Sequence, residues 1–211
     1  MAPDTTDTTS DTGRYEAGQT GLIVKIPAAE PAVHAWRERL DPSAAAGIPA
    51  HVTVLFPFLH EHLIDATVQA ALAEIVGSHR AFDVRFAESR RFPDVLYLAP
   101  EPATTLRQLT RAIADRWPQA QPYGGRFPDV VPHLTVAQRQ AADVLDEIEA
   151  DLARSLPLKT RISSVDLMVH DGVAWRDRTS FALRGQGTGS PGRGGPGEPV
   201  GVPGSAPPVV R

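Results

Sequence analysis

Hydrophobic and polar positions change period repeatedly along this chain, and the changes divide its middle into alternating elements. Residues 20–26 read Thr-Gly-Leu-Ile-Val-Lys-Ile, a β-branched run stopped by Pro27, and predict a strand. Over 30–40 the period lengthens, with Val33, Trp36 and Leu40 on one helical face. Pro31 falls in the first turn, where a missing N–H costs little. A loop over 41–50, carrying Pro42, Gly47 and Pro49, leads to a strand over 51–56. A helix is predicted over 63–76, with Leu63, Val68, Leu72, Ile75 and Val76 forming its apolar stripe. Strands over 82–90 and 95–98 flank an Arg91-Phe92-Pro93-Asp94 turn, and a helix over 102–117 runs to Pro118. A strand over 133–137, a helix over 141–156 and two strands over 158–169 and 174–183 follow. The last two are joined at a hairpin-type His170-Asp171-Gly172 turn.

This order, β-α-β-α-β-β-α-β-α-β-β, predicts an α+β fold of two similar lobes, for which internal duplication is the economical origin. The folded part is expected over 19–184. Residues 1–18 are rich in Thr and Asp and read as a disordered leader. Residues 185–211 are dominated by Gly and Pro without a Gly-X-Y period and read as a flexible tail.

Two of the predicted strands read alike. His51-Val52-Thr53-Val54-Leu55 is matched, 82 residues later, by His133-Leu134-Thr135-Val136-Ala137. Side chains at i and i+2 of a strand share a face, so each strand offers an imidazole beside a hydroxyl. Composition alone supplies about 0.5 His-x-Thr match by chance, and two in the same apolar-alternating context exceed that. Two imidazoles across a cleft suit acid–base chemistry on a phosphodiester. One accepts the proton of the attacking oxygen, and the other donates a proton to the leaving oxygen. The Thr53 and Thr135 hydroxyls can donate to the charged non-bridging oxygens. No metal is needed for that scheme, and no cofactor is expected.

Composition narrows the picture. The chain has 211 residues, 42% hydrophobic and 22% charged, which suits one soluble domain. It contains no cysteine, so thiolate catalysis, disulfides and cysteine-bound zinc are excluded. The N-terminus lacks the basic and apolar segments of a signal peptide, and no apolar run approaches a membrane span of about 20 residues. A cytoplasmic location is expected. The net charge of −4 argues against broad binding to duplex DNA but allows a small anionic ligand held locally. Arginine dominates over lysine, of which only Lys25 and Lys159 occur, a bias read as compositional.

Taken together, His51-Val52-Thr53, the Phe56-Pro57-Phe58 that follows, and Pro132-His133-Leu134-Thr135-Val136 resemble the 2H phosphoesterase superfamily, nearest to its 2′-5′ RNA ligase-like members. The resemblance covers residues 20–184. It implies two pseudo-symmetric lobes of mainly antiparallel sheet flanked by helices, with the motif strands lining a central cleft. It further implies metal-independent hydrolysis of 2′,3′-cyclic phosphates, at RNA ends or on cyclic nucleotides. His51, His133, Thr53 and Thr135 would be catalytic, with His133 as the base for water and His51 as the acid. Spacing alone leaves those two roles interchangeable. The alternatives are 2′-5′ RNA ligase or 2′-5′ phosphodiesterase activity, and a catalytically silent module that binds RNA ends or nucleotides. The expected partner is an RNA end or a small nucleotide, with no membrane, and the chain is expected to act as a monomer.

Other residues are candidates for binding. Tyr123, Arg126 and Phe127 lie in a glycine-loosened segment before the second motif, where an aromatic can stack on a base and an arginine can meet phosphate. Phe58 is a further candidate for base contact, whereas Phe56 reads as core or cleft wall. The pentapeptide Arg-Phe-Pro-Asp-Val occurs at 91–95 and again at 126–130, as equivalent cleft-edge loops or as recurring turn chemistry. His60-Glu61-His62 looks like a metal cluster but lacks partners elsewhere and reads as solvated. His34, His79 and His170 read as surface. No phosphate-binding glycine loop, nucleophile elbow or dinucleotide fingerprint occurs.

Overall fold

The repeated motif lies at the edge strands of two four-stranded sheets, each paired there with the strand that precedes it in sequence. The computed structural model describes residues 15–93, 95–126 and 130–185. Its elements are β1 (Thr20–Lys25), α1 (Glu30–Leu40), α2 (Pro42–Ala45), β2 (His51–Leu55), α3 (Ala66–Ser78), β3 (Phe82–Phe92), β4 (Val95–Glu101), α4 (Thr104–Arg116), β5 (Leu134–Gln138), α5 (Ala142–Leu152), β6 (Leu158–Ile162), β7 (Ser164–His170) and β8 (Trp175–Ala182). The first sheet runs β2-β1-β7-β8 and the second β5-β4-β3-β6. Every pairing is antiparallel. β2 and β5, the two motif edges, pack against each other. The α+β, two-lobed architecture expected from the sequence is the one observed.

Strand alternation decides which face each motif residue takes. Val52 and Val54 of β2, and Leu134 and Val136 of β5, are fully buried in one continuous core with Leu22, Leu96, Leu98 and Leu167. Leu72, Leu106, Leu109, Ile113 and Ile148 of the helices fill that core from the other side. Burying a Val or Leu side chain is worth about 1.5–3 kcal/mol. Four such anchors therefore hold His51, Thr53 and Thr135 on the opposite face.

The two motif strands also share a defect. The β1–β2 register pairs Ile23 with Thr53 and Leu22 with Leu55, skipping Val54. The β4–β5 register pairs Tyr97 with Thr135 and Leu96 with Ala137, skipping Val136. Each motif thus carries a bulge one residue past its threonine, a device that bends a strand and re-aims its side chains. Helices pack crosswise over this seam. α1 of the first lobe lies on β5, and α4 of the second lies on β2. The bulged Val54 carbonyl accepts a hydrogen bond from the buried Thr110 hydroxyl of α4, at 2.7 Å.

Some boundaries differ from those predicted. The single strand expected over 158–169 is two strands, β6 pairing with β3 and β7 with β1, so the chain changes sheets at Ser163. No Gly or Pro marks that junction. The helix expected over 63–76 starts at Ala66, where Asp65 caps it by accepting from the Val68 N–H at 2.8 Å. Leu63 is consequently off the apolar stripe and 52% exposed. α5 stops at Leu152 rather than running to 156, and β5 starts one residue after His133.

The folded body also begins before residue 19. The Gly18 N–H donates to the His170 carbonyl, and Tyr15 packs edge-on against Phe56 and Trp175. His170, read as surface, is buried beneath Tyr15. The rest of the expected leader, and the tail beyond 185, lie outside the described residues.

Because Val nearly matches Thr in shape, Thr110→Val is expected to leave the Val54 carbonyl unsatisfied. The expected loss is about 1–3 kcal/mol of unfolding free energy, read from urea denaturation. An unchanged midpoint would show that this tie does not hold α4 to β2.

Candidate active site

Both motif histidines are fixed the same way. His51 Nδ1 lies 2.8 Å from the Pro49 carbonyl, and His133 Nδ1 lies 2.7 Å from the Val131 carbonyl. A carbonyl can only accept, so each Nδ1 carries the proton and each neutral ring presents Nε2 as an acceptor. The partner stands two residues before the histidine in both cases. Each strand therefore orients its own imidazole through local backbone.

The two rings line one cavity of about 1100 Å³, together with Thr53 and Thr135. They are close enough for His133 to influence the protonation of His51. The pKa of His51 is lowered from the ordinary 6.5 to about 4, first by burial and then by the Arg37 cation. The Pro49 carbonyl and Asp41 work against that shift, while His133 adds to it. His133 is also lowered, by burial, against the opposing pull of the Val131 carbonyl and Asp41. Neutral imidazoles are thus the resting form near pH 7.

The cavity has two unlike walls. Beside the first motif, Tyr15, Phe56 and Trp175 pack edge-to-face, joined by Ile23, Ile48 and Met168. Gly21 leaves room for Phe56, because a Cβ there would stand 3.1 Å from its ring. Trp175 Nε1 is buried without a hydrogen-bond partner among the described residues, its indole set steeply against three rings. Beside the second motif, Phe92 and Tyr97 stack with centroids 4.2 Å apart, and both meet His133 edge-on.

The candidate binding residues separate. Tyr123 reaches the cavity, and its phenol hydrogen-bonds Thr53 instead of standing open as a stacking platform. Burial raises its pKa, which keeps the phenol neutral. Its backbone takes φ 52° beside Gly124 at φ 65°, and its N–H is clamped to the Phe56 carbonyl at 2.7 Å. Left-handed backbone at a tyrosine is strained, and here it holds the phenol at the motif. Arg126 sits exposed at the cavity rim. Phe127 lies outside the described residues.

Phe58 does not face the cleft. Its N–H donates to the Thr20 carbonyl, which draws the ring into the core edge-on to Trp117, with 7% exposure. Phe56 takes the cleft wall instead. His60 Nδ1 accepts from His62 Nδ1 at 2.7 Å, because His60 Nε2 donates to the Ala17 carbonyl. Glu61 pairs with Arg178. Among the described residues no group of three His, Cys, Asp or Glu side chains could hold a metal, and no helix is long and apolar enough to cross a membrane.

Sequence reasoning passed over Tyr15, Ile23, Phe92, Met168 and Trp175, and over the polar Arg37, Asp41, Ser43 and Gln138. For Ile23 a signal existed: a strand position directly across from Thr53 must share its face.

Two His–Thr pairs thus meet at one cavity, brought there by the adjoining edge strands of two antiparallel sheets. A family comparison matches residues 25–174 to the 2′-5′ RNA ligase superfamily, and the chain belongs to that family. Among curated proteins no sequence matches. Among solved structures, E. coli LigT complexed with 3′-AMP aligns at 18% identity and a TM-score of 0.51, over 80% of this chain and 99% of that one. The apo form of E. coli LigT aligns at 19% identity and a TM-score of 0.51, over 81% and 99%. At that identity the likeness is one of fold.

Unfolded, both histidines titrate near 6.5; folded, they titrate lower. As pH falls the unfolded chain takes up protons first, so stability is expected to decline from pH 6.5 toward about 4, where folded His51 titrates. Urea midpoints of the wild type and of the His51→Gln/His133→Gln double variant, compared from pH 7.5 to 4.5, measure this. The wild type should lose stability faster than the variant, and parallel curves would contradict the shifts.

Proposed function

We propose that this chain is a metal-independent phosphodiesterase that opens 2′,3′-cyclic phosphates, at RNA ends or on small nucleotides. The observation that carries the reading is the shared cavity. Two imidazoles, each locked by an Nδ1–H bond to the backbone just before its strand, open on it with a threonine hydroxyl beside each.

In the proposed reaction, water attacks phosphorus and one neutral imidazole takes its proton at Nε2. The P–O bond to a ribose oxygen breaks, and that oxygen receives a proton from the other imidazole, present as imidazolium. The product is a 2′- or 3′-monophosphate. Thr135, and the linked Thr53–Tyr123 hydroxyls, donate to the non-bridging oxygens. Two hydroxyls bonded to each other use one of their two protons between them and leave the second for the phosphate. Arg126 at the rim suits a further phosphate or backbone anion.

The apolar wall of Tyr15, Phe56 and Trp175 fits a planar nucleobase, and the cavity exceeds what a mononucleotide fills. The structure of E. coli LigT with 3′-AMP, a nucleoside monophosphate of the kind such hydrolysis yields, supports a nucleotide as ligand. Hydrolysis is preferred to strand joining because water is the abundant nucleophile. The chain is proposed to work as a monomer in the cytoplasm.

Incubation with 2′,3′-cyclic AMP is expected to give a monophosphate, and His51→Ala or His133→Ala should each lower kcat by about 10²–10⁴-fold. Turnover should persist in EDTA. Loss in EDTA restored by zinc or manganese, or 3′-AMP binding without turnover by the wild type, would overturn the reading, the latter in favour of a binding module. Turnover of 2′-5′ dinucleotides alone would shift the substrate to that linkage.

The two lowered pKa values also set the pH profile. Catalysis needs one neutral and one charged imidazole, so kcat/KM should be bell-shaped with its maximum below pH 6.5, measured on the same substrate. An optimum on the alkaline side would exclude these histidines as the acid–base pair.

A further inference from the structure

The proposed chemistry leaves the His60-Glu61-His62 cluster without a role, and the structure sets that cluster against the segment that carries Tyr15. Residues 15–19 run ahead of β1, held on one side by the end of β7 and on the other by residues 60 and 61. The Gly18 N–H donates to the His170 carbonyl at 2.8 Å, and the His170 N–H donates to the Gln19 carbonyl at 2.9 Å. From the other side the Glu61 N–H donates to the Gly18 carbonyl at 2.8 Å. His60 Nε2 donates to the Ala17 carbonyl at 3.1 Å. His62 Nδ1, donating to His60 Nδ1 at 2.7 Å, fixes the tautomer that permits this bond. The Glu61 carboxylate pairs with Arg178 of β8, which ties the cluster to the edge of the first sheet.

Gly18 shows how closely these parts fit. Its φ of 80° lies in the left-handed region that suits glycine. A Cβ added there would overlap the His60 ring. The imidazole therefore lies directly over the strap and fills the space that any larger residue at 18 would need.

The strap delivers one side chain to the cavity. Tyr15 lines it, with ring centroids 5.2 Å from Trp175, 5.6 Å from His170 and 6.1 Å from Phe56. Trp175 stands on β8 and Phe56 directly follows β2, so the first sheet places both. Tyr15 lies five residues before β1, and the bonds of the strap place it. None of those bonds involves a motif histidine or threonine. The strap thus shapes the apolar end of the cavity without orienting the acid–base groups.

We propose that the His60-Glu61-His62 cluster is a latch for this strap, and that the latched strap makes Tyr15 a specificity-determining residue. Tyr15 closes the apolar end of the cavity around a nucleobase and so selects cyclic phosphates that carry a base over those that do not. The choice of substrate rests on the phosphodiesterase reading, whereas the docking of the strap does not.

The test compares kcat/KM for 2′,3′-cyclic AMP with that for glycerol 1,2-cyclic phosphate, which has no base, and measures the Kd of 3′-AMP by calorimetry. In Tyr15→Ala the ratio of the two kcat/KM values should fall about tenfold, through KM for the nucleotide, and 3′-AMP should bind about tenfold more weakly. Gly18→Ala and His60→Ala, which keep the tyrosine but unseat the strap, should move both readouts the same way. His60→Gln, whose amide can donate to the Ala17 carbonyl, should recover them. A merely structural strap would lower both substrates together and leave the ratio unchanged. Should Tyr15→Ala fail to fold, Tyr15→Leu keeps apolar bulk while removing the ring and takes its place. An unchanged ratio in an active enzyme, an unchanged Kd in the Tyr15 variant, or wild-type values in both Gly18→Ala and His60→Ala overturn the inference, as does a wild type that neither binds 3′-AMP nor prefers the nucleotide. Weaker 3′-AMP binding by the variants of a protein that turns over neither substrate would defeat only the phosphodiesterase reading.

Discussion

Everything at this site depends on two short strands being anchored through their alternate residues. Val52 and Val54, and Leu134 and Val136, sit fully inside the core, so the pleat leaves the intervening side chains only the cleft. A one-residue slip would exchange the two faces, burying imidazole and exposing valine. Hydrophobic burial therefore fixes which side chains face the cleft. The paired bulges past Thr53 and Thr135 refine that aim identically in both lobes.

Around this scaffold the local interactions fall into two kinds. Bonds that orient each ring are short-range and duplicated, each histidine leaning on the carbonyl two residues back. Interactions without a counterpart in the other lobe are long-range: the Arg37–Asp41 network, the Tyr123 phenol at Thr53, and the aromatic wall beside the first motif. The repeated motif gives the two rings matching local settings. The additions are what make the two sides of the cleft differ.

The legibility of the sequence followed the same division. Motif strands, their shared face and the two-lobed order could be read because period-two alternation and Pro stops are local signals. What escaped depended on partners distant in sequence. Arg37 and Asp41 carried no signal in the sequence, and only the fold brings Ile48 and Gln138 to them. Tyr15 was hidden in a Thr- and Asp-rich stretch although Trp175 and Phe56 pack on it. Phe56 lines the cleft as expected, whereas Phe58 is turned into the core, where its N–H bonds the Thr20 carbonyl and its ring meets Trp117. The change of sheets at Ser163 carries no Gly or Pro, so the strand there looked continuous.

The sheet order has a consequence for synthesis. β3 to β6 form the second sheet from one uninterrupted stretch, whereas β1 and β2 must wait for β7 and β8 to complete the first. On the ribosome the C-terminal half of the motif can therefore mature inside a finished sheet before the N-terminal half has all its neighbours. Closure of the first sheet joins β1 to β7, the widest sequence separation among the described strand pairings, and such long-range pairing is slow. Until those last strands emerge, the cleft has one wall.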